Sequence, residues 1–125
     1  MRFPAAVMLA LCTLIAGSSP APAQDKKAAN KPISFMKDVL PLFNNYCTSC
    51  HDGKMKKAGL DMTSYATAAK GGKGGKIWTA GNPAKSSIIT QVSGDKPKMP
   101  PKSQPMTKDE IDLVTKWIMQ GALNN

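Results

Sequence analysis

The sequence predicts a small all-α domain of three to five helices. Three observations carry that prediction. Apolar residues recur at helical spacing from Phe35 to Tyr46, and a capped amphipathic segment runs from Thr107 to Ile118. The stretch between them, Lys54 to Lys98, holds few apolar side chains. Two amphipathic helices at opposite ends of a small domain must cover each other or a third apolar body, and the middle is too poor in interior residues to supply that body itself.

The first twenty-three residues are expected to be a signal peptide. Met1-Arg2 gives a positive start, Ala5 to Ala16 is apolar, and Ala21-Pro22-Ala23 has the small-residue pattern of a cleavage site. The apolar run is shorter than the roughly 20 residues a membrane span needs. Cleavage after Ala23 leaves 102 of the 125 residues, enough for one domain with one modest core. Residues 24–32 read as a flexible basic segment and 33–123 as the domain.

Within the domain, Phe35, Val39, Leu42, Phe43 and Tyr46 share a helical face, and Ser34 is placed to cap its start. Pro41 lacks an N–H and predicts a kink or a late start. Asp52-Gly53 turns the chain. Weaker helices are expected at Ser64–Lys70 and Pro83–Val92, the second with Asn82 as cap and Pro83 in first position. Gly71-Gly72-Lys73-Gly74-Gly75-Lys76 fits neither glycine-rich phosphate-loop pattern and reads as a flexible surface loop. Thr107 and Glu110 form a capping box, Ile111, Val114, Trp117 and Ile118 make one apolar face, and Gly121 ends the helix. An aromatic contact between Phe35 or Tyr46 and Trp117 is expected.

Loss of the signal removes Arg2 and Cys12. Sixteen lysines then face eight acidic residues, an excess of eight positive charges. Export and the absence of arginine argue against nucleic acid, because Arg makes the commonest specific base contacts. An acidic protein partner fits best, with association that weakens as salt is added. No stable membrane insertion is expected after cleavage, and a monomer is favoured.

Two cysteines remain, Cys47 and Cys50, followed by the only histidine, His51. A disulfide between them closes too small a ring to staple a fold. A thioredoxin-like site wants a strand-to-helix junction, but here a helical stretch ends at Cys47. Zinc needs a fourth ligand that a chain with one histidine does not offer. Cys47-Thr48-Ser49-Cys50-His51 therefore reads as the attachment sequence for one haem c. Each thiol adds across one vinyl group on the same edge of the porphyrin, and His51 falls under the ring to bind iron. That haem would be the missing apolar body around which the helices pack.

One histidine excludes bis-histidine ligation within a single chain. Met55 lies too close to His51 to reach the other face of the ring. Met36 and Met119 sit on the expected helices and read as packing residues, and Met62 reaches the iron if its loop runs that way. Met99, in Lys98-Met99-Pro100-Pro101, is the preferred sixth ligand because consecutive prolines stiffen its backbone. Met106 is the runner-up. His51 and Met99 together would close both axial positions and leave no place for substrate. No catalytic residue is expected, and the chain reads as a one-electron carrier rather than an enzyme. Lys54, Lys56, Lys57, Lys96, Lys98 and Lys102 flank the two ligand segments, where they would steer acidic donors and acceptors. Two rival readings stand: a five-coordinate haem sensor or peroxidase-like enzyme, and an electron-relay subunit of a larger periplasmic complex.

From about Ile33 to Ala122 the chain resembles the class I cytochrome c family, and within it the planctomycete-type branch. The resemblance rests on Phe35…Asp38-Val39-Leu40-Pro41-Leu42, the Cys47–His51 motif, Gly59-Leu60-Asp61, Gly81-Asn82-Pro83…Ser86, Met99-Pro100-Pro101 and Glu110-Ile111…Trp117-Ile118…Gly121-Ala122. It implies a small, mostly helical domain in which the family's His and Met ligands fall on His51 and Met99. The Gly/Lys-rich segment at 70–76 departs from the family pattern. Similar domains also occur fused to larger enzymes; standing alone, this one is expected to be a free periplasmic carrier.

Overall fold

The computed structural model describes residues 31–125, so the signal peptide expected at 1–23 and most of the basic segment 24–32 lie outside the described residues. Among those described there are four α-helices and no strand: α1 Leu40–Tyr46, α2 Tyr65–Lys70, α3 Ser87–Val92 and α4 Lys108–Met119. The domain is all-α, as expected. No helix among the described residues is long and apolar enough to cross a membrane.

Pro41 shapes the entry to α1. Ser34 caps it, its hydroxyl accepting the N–H of Lys37. The turn Phe35–Val39 is then π-helical, with the N–H of Leu40 bonded to the carbonyl of Phe35. Pro41 cannot donate to Lys37 four residues back, and its ring crowds that carbonyl, so the preceding turn widens before a regular helix begins. The end of the chain seals this entry: Ser34 Oγ donates to the carbonyl of Asn125 at 2.8 Å, and Phe35 N–H donates to its side-chain oxygen at 3.0 Å.

α2 starts from Ser64, which forms a capping box with Thr67. The helix expected over Pro83–Val92 is broken into a 3₁₀ turn, Pro83–Lys85, and α3. The break falls at Ser86, a fully buried residue whose hydroxyl donates to the carbonyl of Asn82 at 2.8 Å and accepts the N–H of Thr79 at 2.9 Å. A serine that bonds local backbone competes with the helix ladder, and here it interrupts it. α4 has the expected capping box, and its apolar face buries Val114, Trp117 and Ile118.

The core is an aromatic cluster. Phe35 and Trp117 pack with ring centroids 5.6 Å apart, Trp78 stands 5.0 Å from Trp117, and Tyr65 lies 5.2 Å from Phe35. Phe35, and not Tyr46, makes the expected contact with Trp117. Trp117 is fully buried, and its indole N–H donates to the carbonyl of Leu123 at 3.0 Å. Removing a buried aromatic costs about 3–5 kcal/mol. Trp117→Ala should therefore lower the unfolding free energy of the haem-loaded protein by that amount in a denaturant titration. A loss below about 1 kcal/mol would mean that the cluster is not the structural centre.

Met36 and Met119 do not pack as expected. They are 58% and 63% exposed, because the π-helical turn and the end of α4 direct them outward.

Candidate functional site

Cys47, Cys50 and His51 sit on one tight turn at the end of α1. Cys47 N–H bonds to the carbonyl of Phe43 at 2.8 Å. Cys50 N–H and His51 N–H both bond to the carbonyl of Cys47, at 3.1 and 2.9 Å. All three side chains line a cavity of about 730 Å³, which Met99 also lines. That size falls within the roughly 300–1,000 Å³ of small-molecule and cofactor sites. Leu60, Ile77, Ile88 and Val92 give it apolar walls.

The segment after His51 folds back to orient the imidazole. Asp52 accepts the N–H groups of Lys54 and Met55, and Lys57 N–H returns to the carbonyl of Cys50 at 3.1 Å. Lys56 and Ala58 both adopt left-handed conformations, φ 39° and 56°, which turns the carbonyl of Lys57 between them toward the ring. That oxygen lies 2.9 Å from His51 Nδ1. A carbonyl only accepts, so Nδ1 carries a proton, and in the neutral ring Nε2 then has the free lone pair. This is the tautomer a metal-binding histidine needs. Sequence reading missed the Lys57 carbonyl, since nothing in a side-chain pattern marks a backbone acceptor.

The thiols are free, and burial pushes Cys47 up to about 12. It is thus a neutral apolar group in the cavity wall, the reverse of the lowered pKa of a redox-active C-x-x-C pair. Thioether attachment suits such a position, because a thioether carries no charge to bury.

The glycine-rich segment is at the surface as expected, with Lys73 to Lys76 exposed, and it also forms an edge of the cavity. Gly72 and Gly75 form an isolated antiparallel bridge, and Lys73 N–H bonds to the carbonyl of Ala58 at 2.7 Å. A Cβ on Gly72 would stand 2.5 Å from the carbonyl of Ala58, so only glycine allows this approach. Gly72, Gly74 and Gly75 all line the cavity.

Of the other methionines, Met106 is buried in the aromatic core and is absent from the cavity lining. Met62 is 3% exposed and does line it. Its N–H bonds to the carbonyl of His51 at 2.7 Å, which places its backbone beside the histidine. Met99 is held from another direction, its N–H donating to the carbonyl of Gln91 in α3 at 2.9 Å. The six lysines singled out in the sequence are all exposed, and Lys57 and Lys102 reach the cavity lining.

A link unforeseen in the sequence joins the site to α4. Tyr46, which lines the cavity, donates its hydroxyl to the Glu110 carboxylate at 3.0 and 3.2 Å.

The family model described as Planctomycete cytochrome C matches residues 47–103, a span that begins at Cys47 and includes Met99. No curated protein and no solved structure gives a significant match.

Proposed function

We propose that the chain is an exported one-electron carrier with a single haem c, a reading supported by the match of residues 47–103 to the planctomycete cytochrome c family model. Cys47 and Cys50 hold the haem by thioether bonds, and His51 and Met99 ligate its iron. The observation that carries this reading is the hydrogen bond between His51 Nδ1 and the carbonyl of Lys57. It fixes the ring in a cavity of suitable size with Nε2 free.

When bound, the haem supplies an iron that takes up and gives back one electron. The chain's own residues supply the rest. His51 and Met99 would hold that iron, and a Met ligand would raise its reduction potential. Leu60, Ile88 and Val92 offer apolar walls for the haem to pack against. The lysines near the cavity carry positive charge toward acidic donors and acceptors. The signal pattern of residues 1–23 supports a periplasmic location for the carrier and these partners.

An optical spectrum of the matured protein tests the reading, recorded ferric and then ferrous, with and without carbon monoxide. The expected result is low-spin bands, a ferric methionine–iron charge-transfer band and no response to carbon monoxide. A high-spin spectrum that shifts with carbon monoxide would mean an open iron, and the sensor or peroxidase-like reading would replace the carrier.

A further inference from the structure

The carbonyl that faces His51 Nδ1 is itself held from two sides. On one side, Lys57 N–H bonds to the carbonyl of Cys50 at 3.1 Å, which ties residue 57 to the attachment turn. On the other, Ala58 stands at φ 56° and ψ 23°, a left-handed conformation unfavourable for a residue with a Cβ. An alanine stays there only where its surroundings hold it. The planar peptide that joins Lys57 to Ala58 carries the carbonyl, so the φ of Ala58 helps to fix the direction of that oxygen.

What holds Ala58 comes from the glycine-rich segment. Lys73 N–H donates to the Ala58 carbonyl at 2.7 Å. The segment is fixed at its own base: Gly71 N–H bonds to the carbonyl of Ala68 in α2 at 3.0 Å. Gly72 and Gly75 exchange backbone bonds at 3.1 and 2.9 Å. The approach depends on glycine at one position. A Cβ on Gly72 would lie 2.5 Å from the Ala58 oxygen and 3.1 Å from Leu60 Cβ, whereas on Gly74 it would meet nothing within 4 Å.

We propose that residues 71–75 are a clasp on Ala58 that keeps the Lys57 carbonyl aimed at His51 and so sets the basicity of the imidazole toward iron. The inference rests on the His51 ligation proposed above. Gly72 and Lys73 are positioning residues, acting through Ala58 and Lys57. A ring N–H bonded to a carbonyl makes the imidazole a more basic ligand. A more basic ligand favours ferric iron and lowers the reduction potential.

The test compares haem-loaded variants by reduction potential and by NMR exchange of the His51 Nδ1 proton. Gly72→Ala pushes the Ala58 oxygen away, and Lys73→Pro removes the N–H that holds it. Each should raise the potential and speed the exchange by about five-fold, the factor for loss of one hydrogen bond. Gly74→Ala should change neither. Lys73→Ala is the reference for Lys73→Pro, since both lose the same charge and only proline loses the N–H. The sign separates positioning from loosening: a cavity merely opened to water stabilises the more highly charged ferric haem and lowers the potential. A fall or no change in Gly72→Ala, or an equal rise in Gly74→Ala, would overturn the clasp. Should Gly72→Ala not fold, equal potentials in Lys73→Pro and Lys73→Ala would overturn it instead. If the His51 ring protons show no paramagnetic shift in the ferric parent, the ligation reading fails and this inference fails with it. Shifted ring protons with an unmoved potential condemn the clasp alone.

Discussion

Cys47→Ser combined with Cys50→Ser should release all haem into the organic phase on acid–acetone extraction, whereas the parent protein keeps it in the pellet. The variant should also lose most of its cooperative unfolding transition. The two outcomes have one origin. The attachment turn places both thiols in a cavity of about 730 Å³ whose walls are largely apolar. Without the covalent links those apolar walls hold the haem only by packing and ligation, which leaves the helices around it less firmly joined. α3 lines the cavity through Ile88 and Val92, and both residues also belong to the buried core that contains Trp117. Retention of haem in the pellet after both changes would mean that some other group attaches it.

The ends of helices were legible because caps are local. Ser34, Asn82 and the Thr107–Glu110 box each act within three residues, and the structure places all of them as the sequence indicates. Pro41 announced a disturbance of α1, but its form, a π-helical turn, depends on how the widened ladder packs against α4. The break at Ser86 was not read, because its bond to the Asn82 carbonyl is open to any helical serine and the bond from Thr79, seven residues back, is what the pattern does not show. The same limit hid the Lys57 carbonyl beside His51, which depends on left-handed conformations at Lys56 and Ala58, residues with no glycine-like licence for them. The glycines at 71–76 read as a surface loop, and the segment is indeed exposed from Lys73 to Lys76. Their function as a wall follows from close backbone approach to Ala58, a long-range fact. Tyr46 and Glu110 were each assigned a local task, and the bond between them spans 64 positions.

The other large effect is expected at Met99. In Met99→Ala the ferric methionine–iron band should vanish, the ferrous protein should bind carbon monoxide, and the reduction potential should fall, because a thioether ligand favours ferrous iron. Global stability should change little by comparison, since Met99 is 36% exposed. Met106→Ala should do the opposite. It should keep the band and lose about 2–5 kcal/mol of stability, as a buried core methionine does when truncated. Met62 is the discriminating case, for it lines the same cavity and is nearly inaccessible. Its backbone is bonded to the carbonyl of His51, so a ligand from that position would approach from beside the histidine. Two axial ligands must stand on opposite faces of the ring. Met99, carried by a proline-stiffened segment anchored on α3, enters the cavity from a separate part of the fold. Met62→Leu should therefore keep the band and the closed iron. Loss of the band in Met62→Leu, with its survival in Met99→Ala, would exchange the two assignments and make the Pro100-Pro101 segment a lid instead of a ligand arm.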